Sequence, residues 1–201
     1  MIIILTGAGI SASSGIPTYA NKKHPLWKKY DLEKICHVSK RGTTRLAEFF
    51  LDFGEYIKNA QPSVNHMWLA DQSHKSNVRV YTQNVDDLIE RAGGLVHHVH
   101  GMLNDETVVL YGEQGLYDDL FTDLINLEKG DLFIVIGTAC NVVRADLMVM
   151  SSECTKVGVN PCSPPTRPSS DPPAEWFIWI QSRMEDAIEK LTDLVLHTLN
   201  K

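Results

Sequence analysis

Four short stretches of the chain are apolar and rich in β-branched residues: 2–5, Val78–Thr82, 96–100 and Leu132–Ile136. Runs of this kind mark strands buried on both faces of a parallel sheet. Residues 108–111, Thr155–Val159 and 176–180 carry a weaker form of the pattern. Between these runs the period changes to that of a helix. Residues 43–57 place Leu46, Phe49, Phe50, Phe53 and Ile57 on one face. Ser63 is placed to cap a helix carrying Val64, Met67, Trp68 and Ala70. Residues 86–92 read as a short helix that Gly93 and Gly94 end by supplying a left-handed exit. Residues 118–127 and 183–199 are also amphipathic. Strands alternating with helices predict βα units, an α/β class and a mostly parallel sheet. One stretch breaks the alternation: 161–173 holds six of the nine prolines and reads as a loop.

At 201 residues the chain is expected to form one domain, 1–201. Its 43% hydrophobic and 22% charged residues suffice for a core without disulfide staples. The net charge of −6 argues against a nucleic-acid binder that works by neutralising phosphates. No apolar run approaches the roughly 20 residues of a membrane-spanning helix, and MIIIL lacks a basic leader, so a membrane partner is not expected. Cysteines stand at 36, 140, 154 and 162 with no C-x-x-C pair, which excludes a zinc ribbon and a thioredoxin-type motif. Four thiols without an export signal suggest a reducing, cytoplasmic setting.

The first strand runs into Gly7-Ala8-Gly9-Ile10-Ser11-Ala12, a G-x-G-x-x-A turn. Glycines there let the backbone bend sharply and approach a pyrophosphate, whose charge is met by amide N–H groups at a helix start. Taken alone, the motif also admits a tight strand-to-helix turn with no ligand. No acidic residue ends a second strand at the dehydrogenase spacing, and no Gly-Lys-Ser/Thr follows, so neither an ordinary dehydrogenase nor a P-loop is expected. Ligand sites in open α/β sheets lie beyond the carboxyl ends of the strands. Gly7, Gln83, His100 and Gly137 all fall there.

The fragments become specific when taken together. Residues 7–17 read GAGISASSGIP, 82–86 read TQNVD, Arg91-Ala92-Gly93 follows, His100-Gly101 closes a strand, 108–113 read VVLYGE, and Gly137-Thr138 follows another strand. In this order the set resembles the sirtuins, the NAD-dependent protein deacylases, over most of the chain. The resemblance implies a Rossmann-like doubly wound sheet with NAD as cofactor and an acyl-lysine protein or peptide as substrate. It implies that Ala8, Gly9 and Ser11 line the diphosphate and nearby ribose, that Gly7, Pro17 and Tyr19 belong to the same cofactor-binding stretch, and that Ile10, Asn84, Val85 and Asp86 form the nicotinamide pocket. Gln83 would hold ribose hydroxyls, Gly137 and Thr138 would approach the diphosphate, Asn160 would meet the adenosine ribose, and Val109 would contact the acyl-lysine backbone. His100 would be the general base, with Asn84 and Asp86 the other catalytic residues. A near-neutral imidazole can take a proton from a ribose hydroxyl at physiological pH.

The chain also departs from that family's pattern. Only residues 102–107 lie between the His-Gly pair and VVLYGE, so the zinc module with its two C-x-x-C pairs is absent, and no metal site is expected. Ala20, Ile89 and Ala139 stand where the family has arginine, histidine and serine. The small-domain segments near 21–60 and 102–107 are abbreviated. Three readings follow from this: protein deacylation, NAD hydrolysis or ADP-ribosyl transfer in the same pocket, and non-catalytic sensing of NAD or ADP-ribose. More modest roles compete for individual residues. Asn84 and Asp86 can merely cap a helix at 86. His98 and His100 share a strand face and so admit a metal. His66, Trp68 and the aromatics of 49–53 read as core or helix surface, and Asp118, Asp119 and Asp123 as a solvated acidic face.

Overall fold

The computed structural model describes residues 1–103, 107–140, 142–162 and 178–200. Six parallel strands form one sheet: β1 (Ile2–Thr6), β2 (Val78–Thr82), β3 (His97–His98), β4 (Leu132–Ile136), β5 (Thr155–Val159) and β6 (Ile178–Ile180), in the order β3-β2-β1-β4-β5-β6. The register is continuous through the centre, with Ile4 beside Val80 on one side and Ile134 on the other. The helices are α1 (Pro25–Lys29), α2 (Leu32–Ile35), α3 (Thr44–Asn59), α4 (Val64–Ser73), α5 (Leu88–Arg91), α6 (Asp118–Ile125), α7 (Ala145–Met148) and α8 (Met184–Leu199). A 3-10 helix, Ala8–Ser14, follows β1 directly.

The apolar runs explain the layering. Successive side chains of a strand point to opposite faces. Ile2 and Ile4 therefore join one core with Leu69, Val80 and Leu191, under α4 and α8. Ile3 and Leu5 join the other with Leu120, Leu124 and Phe133, under α6 and α7. Ile2, Ile3, Ile4 and Leu5 are all fully buried, each worth about 1.5–3 kcal/mol. A third cluster, with Leu26, Tyr30, Leu46, Phe49 and Leu110, gives the helical segment α1–α3 a core of its own. Among the described residues no helix is long and apolar enough to cross a membrane.

The chain runs from β1 outward to β3 and then returns to lay β4 on the other side of β1. The order reverses between β1 and β4, and open α/β sheets hold ligands at the carboxyl end of such a switch point. The turns after β1, β2, β3, β4 and β5 begin at Gly7, Gln83, Val99, Gly137 and Asn160, so the residues singled out by the sequence share that edge.

Several expectations need correction. Residues 108–111 form no strand. Among the described residues their only ladder is one bridge between Tyr111 and His37, and Val108 and Leu110 pack into the helical segment instead. Residues 96–100 supply only the two-residue β3, beyond which Val99 N–H still reaches the Thr82 carbonyl. The helix expected at 86 begins at Leu88, with Asp87 as its N-cap. Asp123 is not solvated: it is 6% exposed on the inner face of α6. The strand 176–180 is described only as β6, and of the loop 161–173 all but the first two residues lie outside the described residues, as do 104–106 of the short link.

Asp123 accepts from Tyr81 Oη and Arg79, each at 2.6 Å. Asp123→Ala strands the buried Tyr81 hydroxyl, and a buried donor left unmade costs about 1–3 kcal/mol. Urea denaturation should show that loss, and adding Tyr81→Phe should recover part of it.

Candidate functional site

Four buried polar side chains meet where the β1 turn faces the β2 turn. The 3-10 helix carries Ser11 inward until none of it is exposed. Its hydroxyl lies 3.0 Å from Asp86 Oδ2, 3.1 Å from Asn84 Nδ2 and 3.1 Å from His66 Nε2. The proton positions follow from the partners. Ser63 N–H donates to His66 Nδ1 at 3.0 Å, so Nδ1 is the acceptor and Nε2 carries the proton. Burial, followed by the charge of Arg91, lowers the His66 pKa to about 4, which keeps the ring neutral. Ser11 thus accepts from His66 and Asn84 and donates to Asp86. Asp86 Oδ1 accepts from Leu88 N–H at 3.3 Å. Burial raises the Asp86 pKa, against the opposing pull of the Ser11 and Leu88 hydrogen bonds and the nearby His98.

The end of β2 is held from its other side by two histidines. His100 Nδ1 donates to the Gln83 carbonyl at 3.0 Å, which leaves Nε2 as the lone-pair nitrogen, 2.9 Å from Tyr117 Oη. Burial lowers the pKa of His100, with the Gln83 bond acting the other way. His98 Nδ1 donates to the Asn84 carbonyl at 2.8 Å, and its Nε2 faces Glu90 at 2.6 Å. Both His98 nitrogens face acceptors, which favours the protonated ring. Burial pushes its pKa down, but Glu90, the Asn84 carbonyl and Asp86 outweigh that and leave it raised. Every nitrogen of the two rings is engaged within the protein. Among the described residues no three His, Cys, Asp or Glu side chains gather as a metal site.

The sign of the His98 shift gives a pH test. A raised folded-state pKa adds stability that is fully present below the ordinary value of 6.5 and is lost as the pH rises through the folded-state value. In Glu90→Gln the His98 pKa should fall in an NMR titration. The thermal stability gap to the wild type should be widest at acidic pH and close above the raised pKa.

The turns after β1 and β4 cross in contact. Gly9 N–H donates to the Gly137 carbonyl at 3.0 Å, and Gly137 adopts φ +67. A Cβ at Gly7 would lie 2.6 Å from the Thr138 Cβ, and one at Gly9 2.6 Å from the Gly137 Cα. Ala8 is exposed beside this crossing, while Gly9, Gly137 and Thr138 are half-buried. Asn160 Nδ2 reaches the Thr138 carbonyl at 3.5 Å, which ties the β5 turn to the β4 turn. Gln83 N–H donates to the Thr6 carbonyl at 3.0 Å, and Val109 N–H donates to the His100 carbonyl at 2.9 Å. A glycine crossing with no room for side chains, flanked by a buried carboxamide and carboxylate, suits a dinucleotide that lies across the edge with an amide-bearing ring at one end.

Gly7, Ala8, Gly9, Gln83, Asn84, Asp86, His100, Val109, Gly137, Thr138 and Asn160 therefore cluster along one edge. Ser11 sits with Asn84 and Asp86, wholly enclosed. Ile10 is fully buried in the core beneath the turn, and Val85 accepts from Leu103 N–H at 2.9 Å. Pro17 is buried, whereas Tyr19 belongs to the helical segment, its ring 5.8 Å from Trp27. Tyr117 and Glu90 had escaped the sequence, and His66 and His98 had been read in other roles. Tyr117 and the His98–Glu90 pair left no local signal. His66 left one, because it stands three residues after Ser63 at the reciprocal position of a capping box.

Comparison with known proteins agrees with this geometry. The Sir2 family model matches residues 7–107. The NAD-dependent protein deacylase of Aggregatibacter actinomycetemcomitans is 31% identical over 180 residues, 73% of this chain and 85% of that protein. The one from Bacteroides thetaiotaomicron (strain ATCC 29148 / DSM 2079 / JCM 5827 / CCUG 10774 / NCTC 10582 / VPI-5482 / E50) is 30% identical over 183 residues, 72% and 77% of the two chains. The one from Mycobacterium tuberculosis (strain ATCC 25618 / H37Rv) is 40% identical over 105 residues, 51% of this chain, and the match spans only 44% of the mycobacterial protein. Among solved structures, a Sir2 homologue mutant in complex with 2'-O-acetyl ADP ribose superposes with a TM-score of 0.79 at 25% identity, covering 100% of this chain and 93% of that one. With the turn motifs, the switch-point edge and these relatives in agreement, the chain belongs to the Sir2 family.

Proposed function

We propose that this protein is an NAD-dependent protein deacylase that removes acyl groups from lysine side chains. The observation that carries the reading is the enclosed Ser11–Asn84–Asp86 cluster, one turn away from an imidazole whose Nδ1 is fixed on Gln83 and whose Nε2 keeps its lone pair. When bound, NAD supplies the activated nicotinamide–ribose bond. The Gly7-Ala8-Gly9 turn with Gly137 and Thr138 takes the diphosphate, Gln83 the nicotinamide-side ribose, and Asn160 the adenosine ribose. Asn84 and Asp86, with Ile10 and Val85, orient the carboxamide. Asp86, held by Ser11 and the Leu88 N–H, would keep its carboxylate fixed at that end of the pocket. Val109 would align the acyl-lysine backbone, and His100 would serve as the general base for the attacking hydroxyl. The relatives' name, NAD-dependent protein deacylase, supports the assignment. All four cysteines are free thiols, in keeping with action in the reducing cytoplasm.

The test is mass spectrometry of the products formed from NAD and a panel of acyl-lysine peptides. Acyl-ADP-ribose with free lysine is expected. Nicotinamide release independent of peptide would instead identify an NAD hydrolase or ADP-ribosyltransferase. Tight NAD binding with no turnover would identify a sensor.

A further inference from the structure

The lone pair of the proposed base is not open to a ligand. Of the two His100 nitrogens, Nδ1 is committed to the Gln83 carbonyl, and Nε2 faces the Tyr117 hydroxyl at 2.9 Å. A neutral imidazole with its proton on Nδ1 can only accept at Nε2, so Tyr117 donates. The tyrosine is held there by construction. It is the N-cap residue of α6, and Leu116 N–H, just before it, is tied to the Val99 carbonyl at 3.0 Å. The ring stacks on Phe121 at 5.4 Å and meets His100 edge-on at 5.7 Å. It also folds back over Gly115, where a Cβ would lie 2.1 Å from two ring carbons and 2.6 Å from the hydroxyl oxygen. Glycine at 115 is thus what lets the ring occupy this place. Tyr117 is half-buried.

We propose that Tyr117 is a proton relay between the substrate hydroxyl and His100. The inference rests on the deacylase reading and assigns the proton path within that site. As the substrate O–H bond breaks, its proton passes to Tyr117 Oη while the tyrosine's own proton passes to His100 Nε2. The Nδ1 proton stays on Nδ1, hydrogen-bonded to the Gln83 carbonyl. One proton has moved from substrate to imidazole, the tyrosine is regenerated neutral, and no other reactant is needed. The base therefore acts through a phenol rather than by direct contact.

Tyr117→Phe keeps the ring, its stacking and the fold, and removes only the bridging oxygen. Two measurements test the relay. In an NMR titration of the free protein the His100 pKa should rise in Tyr117→Phe, because the lost hydrogen bond favoured the neutral ring. An unchanged titration overturns the contact, whatever the activity. In steady-state assays, acyl-ADP-ribose formation should fall at least about tenfold, while exchange of labelled nicotinamide into NAD, which precedes this proton transfer, stays at the wild-type rate. Formation at or above the wild-type rate would mean that Tyr117 merely covers the base, and the relay is then wrong. Gly115→Ala, which displaces the ring, should reproduce both changes. A wild-type protein that releases no acyl-ADP-ribose from any peptide refutes the deacylase reading and the relay with it, and the titration still reports separately on the hydrogen bond.

Discussion

His100→Ala is expected to lower acyl-ADP-ribose formation by about 10²–10⁴-fold, the range a positioned general base contributes, while NAD still binds. The geometry separates the two effects. The imidazole lies after β3, held on Gln83 and Tyr117, whereas the glycine crossing lies after β1 and β4. Removing the ring also strands the Gln83 carbonyl, so loss of activity could be confused with loss of structure. His100→Asn provides the control, because its amide N–H can still serve that carbonyl but it offers no base. Both variants should be inactive in transfer, and His100→Asn should melt closer to the wild type. Isothermal titration with NAD and product assays on the same preparations check the prediction. A His100→Asn variant with wild-type turnover would remove this residue from the chemistry.

How much of this was legible beforehand depended on the range of the interactions. The sheet could be read because the central strands are buried on both faces, and burial on both faces leaves an uninterrupted apolar run such as Leu132–Ile136. The turn residues could be read because each follows such a run. Residues 108–111 misled because Val-Val-Leu-Tyr is an apolar run like those of the strands, yet its partner at His37 offers only a single bridge. Asp123 misled because acidic residues usually face water. Its spacing of three from Leu120 placed it on the buried face, where Tyr81 and Arg79 satisfy it.

The proton logic of the site lay beyond the sequence for a different reason. Ser11 meets His66 across 55 positions and Asp86 across 75, and no local period records such pairs. His98 and His100 are chemically identical in the sequence and differ only in what faces Nε2. Glu90 favours the protonated ring in the first, and Tyr117 favours the neutral ring in the second. The end of β3 and the turn after it thus carry two imidazoles with opposite preferences for the proton, two residues apart. Neighbours contributed by α5 and α6 decide which is which.

The crossing of the β1 and β4 turns predicts the largest effect of a single methyl group. In Gly9→Ala the new Cβ would stand 2.6 Å from the Gly137 Cα and 2.9 Å from its carbonyl oxygen. Both are backbone atoms and cannot rotate away, so the two turns must part. The Gly9–Gly137 hydrogen bond goes with them, because the same approach sets its 3.0 Å length. Overpacking of this kind costs about 1–3 kcal/mol, and separating the turns displaces both proposed diphosphate contacts at once. NAD affinity should therefore fall at least about tenfold, which corresponds to about 1.4 kcal/mol. Gly130→Ala calibrates the result. Gly130 has φ +100 and nothing within 4 Å of its Cβ position, just before β4 at the opposite edge of the sheet. That substitution carries backbone strain with no collision near the site, so it should lower the melting temperature while leaving NAD binding intact. If calorimetry instead gave both variants equal affinity for NAD, the cofactor would not span the β1 and β4 turns. The edge of the sheet would then have to bind it through the β2 and β3 turns alone.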